Sequence, residues 1–372
     1  MGYYKCSYFL VYFRFLGIMD KPIQKILFGS PGTGKSYKID NEIIPKTLDI
    51  DVEKTPGNVI KAVFHPEYTY GDFVGKLMPI TTEENNVKYS FYEGHFLKAL
   101  ARAYENLIKA EGEIDKAQHV VLVIDEINRG NSSSIFGTIF QLLDRDEDGY
   151  SSYYVSINEI IFNKLLELIG VESTFKSGVL SGYELNKEIF EKLDNLQEEF
   201  DIYSLGFDVV NRNIKIPANL SIVATMNTSD SSIYYMDTAF KRRWEWEFID
   251  IDGSSVCKVE NEISFKTRKE WQNFVNKLNT FIKCNHRHIR GIEDKQVGYY
   301  FIQGESIKTS SIQNKLMFFL WDSVFSRDKK PLIKLLYGEN QKEHDELITF
   351  GDFAKQVEHF IKKIKNYKNS ID

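Results

Sequence analysis

The segment Gly29-Ser-Pro-Gly-Thr-Gly-Lys-Ser36 has the spacing G-x-x-x-x-G-K-S of a loop that cradles phosphate. An apolar run, Ile26 to Phe28, precedes it, and a helical pattern from Tyr37 to Ile44 follows and is expected to stop at Pro45. This is the strand, loop and helix context that the motif requires. Its glycines let backbone N–H groups turn towards phosphate oxygens. The residues predicted to bind nucleotide here are Gly29, Pro31, Gly32, Thr33, Gly34, Lys35 and Ser36.

Two side chains of this loop have predicted roles of their own. Lys35 is expected to reach the β- and γ-phosphates of a nucleoside triphosphate, and the Ser36 hydroxyl is expected to hold Mg²⁺. The N-terminus of the following helix adds its dipole. Nothing in the loop selects between ATP and GTP.

A second candidate group follows the almost wholly apolar run His119 to Ile124, which is typical of a central parallel strand. The run ends in Asp125 and Glu126. Burying a carboxylate at the tip of a buried strand costs free energy, so such residues usually belong to a functional site. Ligands of parallel sheets bind at these strand tips. We predict that Asp125 holds Mg²⁺ and that Glu126 polarises the attacking water. The alternative is that Asp125 or Asn128 caps the next helix.

A further buried strand, Ala218 to Met226, ends in Asn227, whose amide could hold the lytic water. A short helix, Met236 to Phe240, comes next and is followed by Arg242 and Arg243. These arginines could offset the helix dipole. They could also reach into the phosphate site of a neighbouring subunit, as arginine fingers do.

The remaining pattern alternates strands with helices. Strands are predicted at Asn58–His65 and 244–249, helices at Phe91–Glu105 and Ser132–Leu143, and a mostly helical region from residue 258. This order predicts an α/β fold in which a parallel five-stranded sheet is followed by a helical lid. The expected divisions are an N-terminal appendage (1–21), an α/β core (22–255) with an insertion (151–212), and the lid with the C-terminal helices (256–372).

The composition of the chain limits its possible partners and cellular compartment. The chain has 372 residues, 42% of them hydrophobic, and a formal net charge of −6, so its whole surface does not attract nucleic acid. Its three cysteines are scattered, which favours a reducing cytoplasm. The apolar stretch Tyr8 to Ile18 is too short to span a membrane. A signal peptide is disfavoured, and translation could begin at Met1 or at Met19.

Several charged or polar stretches are candidates for binding nucleic acid or a metal. The insertion carries a net charge of −6 and two helical patterns, Ile160–Ile169 and Leu185–Phe200, which argues against DNA binding there. Basic residues concentrate at 258–295 and 355–368, although solvated helix faces explain such runs well. The cluster Cys284, His286 and His288 matches no zinc spacing, and residues 144–150 are expected to form a solvated turn.

Four motifs now stand in order, and together they resemble those of AAA+ NTPases. The details are similar to the McrB family, the motor subunits of modification-dependent restriction systems. Asp125-Glu-Ile-Asn-Arg129 resembles its D-E-I-N-R, and Met226-Asn-Thr-Ser-Asp230 resembles its M-N-x-x-D. Phe64-His-Pro-Glu-Tyr-Thr-Tyr-Gly-Asp-Phe73 resembles its F-H-P-x-Y-x-Y-x-D-F, and Gln296-Val-Gly-Tyr-Tyr-Phe301 is similar to its lid motif Q-I-G-H-S-Y-F. The resemblance covers roughly residues 22–338.

This resemblance implies an AAA+ core and a set of roles. It implies phosphate-loop roles for Lys35 and Ser36, magnesium and water roles for Asp125 and Glu126, and hydrolysis roles for Asn227 and Asp230. It implies an arginine finger acting in trans at Arg242 or Arg243. It further implies a hexameric ring, a preference for GTP over ATP with Mg²⁺, and a partner nuclease of the McrC type. DNA would be reached through that complex.

Several features depart from the family pattern. Ser231-Ser232 replaces the usual Arg-Ser, Tyr299 stands where His is usual, and the insertion is longer than the typical connection. Only about twenty residues precede the first strand, so we expect that a partner recognises modified bases or that the protein does not act on methylcytosine. Two alternatives therefore stay open. One is an ATP-dependent remodelling protein of the dynein-related AAA+ group, and the other is a nucleotide-gated scaffold that hardly hydrolyses.

Overall fold

The structure, a computed structural model, describes residues 22–81, 86–177, 179–228, 234, 236–253, 262–338 and 347–367. The predicted appendage 1–21, and Asp230, Ser231 and Ser232, lie outside these residues. By their contacts the chain forms two compact units, Met1–Lys25 with Ser36–Trp244, and Ile26–Lys35 with Glu245–Asp372.

The strands are β1 (Gln24–Gly29), β2 (Val59–Val63), β3 (Gly75–Thr81), β4 (Val87–Glu93), β5 (Val120–Asp125), β6 (Val155–Ser156), β7 (Glu172–Lys176), β8 (Val179–Leu185), β9 (Glu188–Phe190), β10 (Asn213–Ile214), β11 (Leu220–Asn227), β12 (Glu245–Phe248), β13 (Ile263–Phe265) and β14 (Ile307–Lys308).

The α-helices are α1 (Lys35–Lys38), α2 (Tyr70–Phe73), α3 (His95–Lys109), α4 (Ser132–Phe136), α5 (Glu159–Leu168), α6 (Leu193–Ile202), α7 (Thr238–Lys241), α8 (Arg268–Cys284), α9 (Thr309–Ser311), α10 (Lys330–Tyr337), α11 (Phe350–Ala354) and α12 (Val357–Lys365). Wider π-type turns are Ile39–Thr47, Ile312–Met317 and Leu320–Val324. Tighter 3₁₀ turns are Pro56–Asn58, Ile114–Lys116, Gly137–Leu143, His286–His288, Ile292–Lys295 and Tyr299–Phe301.

Five strands lie in one sheet in the order β12-β1-β11-β5-β2. Strand β5 pairs in parallel with both of its neighbours, so that Ile124 lies opposite Ala224 on one side and Ala62 on the other. Strands β5 and β11 are buried along almost their whole length, as is usual where a parallel sheet is covered on both faces. The predicted α/β core around a five-stranded sheet is therefore confirmed.

The first unit packs helix α3 against β5 and β2. The face of α3 that is buried carries Phe96, Leu97, Leu100 and Tyr104, at the helical spacing read from the sequence. The helix begins at His95 rather than at Phe91, because Gly94 takes the extended N-cap position and Phe91 belongs to β4.

A guanidinium group joins three parts of this unit. Arg145 donates hydrogen bonds to the Gln24 side chain at the start of β1 and to the carbonyl of Gly149 in the turn that follows Arg145 itself. It also donates to carbonyls of the segment that leads into β11 and of its first residue. Its acceptors are Gln24 Oε1 (3.3 Å), Gly149 O (2.8 Å), Ile216 O (3.3 Å), Pro217 O (3.1 Å) and Leu220 O (2.8 Å). Burial lowers the pKa of Arg145 to about 9, so the group stays charged at neutral pH. The prediction that residues 144–150 form a merely solvated turn is wrong for Arg145.

The insertion 151–212 contains more strand than the sequence suggested. Helix α5 matches the first predicted helix, but the second begins at Leu193 instead of Leu185. The residues before it form the antiparallel sheet β7-β8-β9. Asn186 and Lys187, with φ of 52° and 71°, make the two-residue turn between β8 and β9. No glycine marks this turn, so the hairpin was not predicted.

A second hairpin, β3 with β4, was also missed, and it exposes apolar side chains on both of its faces. Leu77 and Tyr89 are 48% and 66% exposed on one face, and Met78 and Tyr92 are 42% and 50% exposed on the other. Because neither face is buried, the alternation of apolar and polar residues that marks most strands is missing.

The second unit is built around Phe28 of β1, whose ring contacts Trp246, Phe248, Phe318 and Phe350. The backbone pairs here as well, since Ile249, the residue after β12, donates its N–H to the Phe28 carbonyl (2.9 Å). Helix α8 packs against β13 and α12, and its buried stripe includes Trp271, Phe274 and Leu278. In the ranges that the structure describes, no helix is long and apolar enough to cross a membrane.

One helix runs further than predicted. Helical turns after the glycine loop continue through Pro45 to Thr47, instead of stopping at the proline. The turns from Ile39 onward are of the wide π type, which accommodates a residue that has no N–H to donate.

We predict that Arg145→Lys lowers the free energy of unfolding by about 3 kcal/mol, because a lysine cannot reach five acceptors in a planar arrangement. Thermal and urea unfolding would measure this loss. The matched control is Arg212→Lys, since Arg212 is 45% exposed and pairs only across the surface with Glu159; its change should stay within about 0.5 kcal/mol. Equal stability of the two variants would contradict a structural role for Arg145.

Candidate functional site

The glycine-rich loop connects β1, which ends at Gly29, to α1, which begins at Lys35. A Cβ atom on Gly29 would lie 2.4 Å from the carbonyl oxygen of Ile249, so no larger residue fits there. Gly34 has a φ of 84°, in the region that side chains disfavour. The Thr33 hydroxyl donates to the Ser30 carbonyl (3.1 Å) and helps to close the turn. These contacts give the loop the shape that its sequence predicted.

Lys35 is folded back into this loop. Its Nζ donates to the carbonyl oxygens of Gly29 (3.3 Å) and Ser30 (2.7 Å), and the residue is only 7% exposed. The ammonium is therefore held against the backbone of the glycine-rich loop. Such a donor set fits the oxygens of a phosphate, with which it would exchange its present carbonyl partners.

Asp125 and Glu126 lie at the tip of β5, where the chain takes an unusual conformation. Glu126 has a φ of 55°, which costs roughly 1 kcal/mol or more for a residue with a side chain. Its N–H donates to the Thr225 hydroxyl (3.1 Å), and its carbonyl accepts from the Arg129 N–H (2.8 Å). These bonds keep the strained residue in place.

The tip of β11 lies beside these carboxylates because of the parallel register. Thr225 donates its hydroxyl hydrogen to Asp125 Oδ1 (2.9 Å), and Asn227 Nδ2 donates to Glu126 Oε1 (2.6 Å). The structure thus brings together three residues that the sequence picked out separately, Asp125, Glu126 and Asn227. Thr225, which links them, was not singled out.

Asn128 binds the backbone of Asn227 in this group. It is 1% exposed, and its Nδ2 donates to the Asn227 carbonyl (2.9 Å). Within the described chain its Oδ1 is buried without a hydrogen-bond partner. The N-cap of α4 is Asn131, whose side chain accepts from the Ser134 N–H (3.2 Å). The alternative that Asp125 or Asn128 caps this helix is therefore wrong.

The oxygens predicted to hold Mg²⁺ suit that ion. Among the described residues, the Asp125 side chain accepts one hydrogen bond, from the Thr225 hydroxyl to Oδ1, so Oδ2 would be available to a cation. Ser36 is exposed in the first turn of α1. A carboxylate and a hydroxyl, completed by phosphate and water oxygens, are the hard donors that Mg²⁺ prefers. Elsewhere in the described chain, no group of three or more His, Cys, Asp or Glu could hold a metal.

The paired arginines differ sharply in their surroundings. The Arg243 side chain is 7% exposed and binds Asp144 through Nη2 (2.6 Å) and Nε (3.0 Å), while its plane lies over Phe140 at 4.5 Å. Arg242 is exposed. Asp144 was expected to be solvated, and that prediction is wrong, because it neutralises Arg243. Asp144 and Arg243 are 99 positions apart in the chain, so no local sequence pattern predicts this pair.

Comparisons with known proteins bear on this site. Over 368 residues, the chain is 28% identical to the type II restriction enzyme BsuMI component YdiS of Bacillus subtilis (strain 168), covering 92% of this chain and 90% of that protein. Over 268 residues it is 27% identical to the type IV methyl-directed restriction enzyme EcoKMcrB subunit of Escherichia coli (strain K12), covering 66% of this chain and 43% of that subunit. The chain is therefore similar to McrB-like AAA+ NTPases of restriction systems.

Two other comparisons add less. No family model matches the chain. A crystal structure of a Cytophaga hutchinsonii protein described as an ATPase aligns with 65% of this chain and 45% of its own, at 13% identity and a TM-score of 0.24. A score of that size carries no argument about fold or function.

We predict that Arg243→Ala lowers the free energy of unfolding by about 1.5–3 kcal/mol, since it removes a charged hydrogen-bonded pair and leaves Asp144 without its partner. Arg242→Ala is the adjacent control and should change stability by less than about 0.5 kcal/mol. Chemical denaturation of both variants would measure the difference. Similar losses for the two would show that the pair with Asp144 contributes little.

Proposed function

We propose that this McrB-like chain hydrolyses a nucleoside triphosphate, GTP or ATP, with the phosphate loop at 29–36 binding the phosphates and the group formed by Asp125, Glu126 and Asn227 acting on the attacking water. The observation that carries the proposal is the 2.6 Å hydrogen bond from Asn227 to Glu126, at the tips of two neighbouring strands. An amide that orients a carboxylate in this way suits the activation of water.

Each residue has a proposed task in the reaction. The loop N–H groups and Lys35 bind the phosphates. Ser36 and Asp125 hold Mg²⁺, which neutralises phosphate charge when bound. Glu126 orients the attacking water and accepts a proton from it, and Asn227 keeps one carboxylate oxygen of Glu126 fixed during this step. The role of Asp230 rests on the resemblance alone.

We further propose that hydrolysis drives or regulates a nuclease partner of the McrC type in a restriction system. Support comes from the two relatives, which are named as a component and as a subunit of restriction enzymes. DNA would be reached through that complex, in the cytoplasm. The proposed division is a core at 22–255, with the insertion 151–212, and a lid at 256–372.

A ring of copies, hexameric by resemblance, would complete the site. Of the two candidate fingers, the exposed Arg242 is the better placed to reach a neighbouring copy, because Arg243 is held by Asp144 within its own chain. A finger acting in trans stabilises charge on the transferring phosphoryl group. GTP is proposed ahead of ATP only by resemblance, and turnover with both nucleotides in competition would decide between them.

We predict that Glu126→Gln lowers turnover by about 10²–10⁴-fold, because the amide cannot accept the proton of the attacking water. Bound nucleotide should be trapped, so nucleotide retention and phosphate release measured together would test this. Lys35→Ala is the contrasting variant and should abolish binding itself. Hydrolysis by Glu126→Gln at the wild-type rate would refute the assignment of Glu126.

We predict that Arg242→Ala binds nucleotide normally but loses about 10³–10⁵-fold in turnover, as expected when a trans arginine is removed. Mixing this variant with Glu126→Gln tests the geometry, because each should supply the group that the other lacks. Partial recovery of phosphate release on mixing is the expected result. Full activity of Arg242→Ala alone would rule this residue out as the finger.

A further inference from the structure

We propose that Thr225 is a positioning residue that couples the metal-binding carboxylate of Asp125 to the catalytic carboxylate of Glu126. This inference rests on the proposed function of those two residues. A single hydroxyl on β11 contacts both, 2.9 Å from Asp125 Oδ1 and 3.1 Å from the Glu126 nitrogen. The hydroxyl therefore links the Asp125 carboxylate to the backbone that positions the Glu126 carboxylate.

The direction of both hydrogen bonds is fixed by chemistry. The backbone N–H of Glu126 can only donate, so the Thr225 oxygen must be its acceptor. The one hydroxyl hydrogen is then free to go to Asp125, which as a carboxylate only accepts. No rotation of the hydroxyl satisfies both partners in another way. Asp125 Oδ1 is thus committed to Thr225, and Oδ2 would be the oxygen available to Mg²⁺.

Thr225 also controls the backbone that presents Glu126. Its carbonyl accepts from the Ile127 N–H (3.0 Å), so its oxygens bind the residues on three consecutive positions of the β5 tip. Glu126, the middle one, has the left-handed conformation with φ of 55°. Without the hydroxyl, its N–H loses a partner and the strained conformation loses an anchor.

Water does not readily replace this hydroxyl. Thr225 is 3% exposed, and the parallel pairing of β11 with β5 fixes its position beside Asp125. A buried donor or acceptor left without its partner keeps its full desolvation cost. The coupling is therefore a property of the side chain, and a hydroxyl on a smaller residue should restore it.

The test compares Thr225→Val, which keeps the shape, with Thr225→Ser, which keeps the hydroxyl. Phosphate release is measured over a Mg²⁺ titration with GTP and with ATP, beside nucleotide affinity and thermal unfolding. We expect Thr225→Val to lower kcat about 10- to 100-fold, as for lost outer-shell partners of a metal ligand, and to need more Mg²⁺ for half-maximal rate. Nucleotide affinity should be unchanged, and Thr225→Ser should regain most of the rate.

Ser221→Ala is the matched control on the same strand. Its hydroxyl is fully buried and accepts from the Ile23 N–H (3.0 Å), at the other end of β11. This variant should lose stability without any change in Mg²⁺ dependence or kcat. A shift of the Mg²⁺ midpoint in Ser221→Ala equal to that in Thr225→Val would overturn the proposal.

Further outcomes separate the inference from the proposed function. If the wild-type chain releases no phosphate, alone or with a nuclease partner, the proposed function fails. If it is active and Thr225→Val matches it, the coupling fails while the function stands. Should Thr225→Val not fold, Thr225→Ser and Thr225→Ala differ only by the hydroxyl, and equal rates and Mg²⁺ midpoints for that pair would overturn the proposal.

Discussion

The parallel register of β5 with β11 is the constraint on which the candidate site depends. Ile124 lies opposite Ala224, so the next residue along each strand, Asp125 in β5 and Thr225 in β11, lies beside the other. Everything polar at this edge follows from that alignment, including the hydrogen bond between Asn227 and Glu126. A slip of one residue would turn every side chain of a strand to the opposite face. The apolar burial of both strands makes such a slip costly.

The stability of this edge and its chemistry come from different parts of the chain. Apolar packing holds the two strands, while the strained Glu126 depends on hydrogen bonds from its neighbours. The same division applies to the paired arginines, where Arg243 contributes to packing and its neighbour is left at the surface. Residues adjacent in sequence thus lie in different surroundings, one buried against Asp144 and the other exposed.

Local patterns predicted the core and failed where tertiary contacts decide. The apolar runs that become β5 and β11 are long and sharply bounded, so their ends and the polar residues there could be read directly. The β3–β4 hairpin is exposed on both faces and gives no alternation. Thr225 was missed because one hydroxyl in an apolar strand looks like a tolerated core residue until its partner strand is known. Asp144 and Arg243 are far apart in sequence, and no spacing rule connects them.

The cluster around Arg145 has a consequence for how the fold responds to solution conditions. All five acceptors of its guanidinium are neutral carbonyl or amide oxygens, so no carboxylate takes part. Acid that protonates aspartates and glutamates therefore leaves these bonds intact, and added salt has no opposite charge there to screen. At the junction between the start of β1 and the entry to β11, the Arg145 cation is therefore bound by neutral oxygen acceptors. It should persist in acid and at high ionic strength after the surface ion pairs have dissociated.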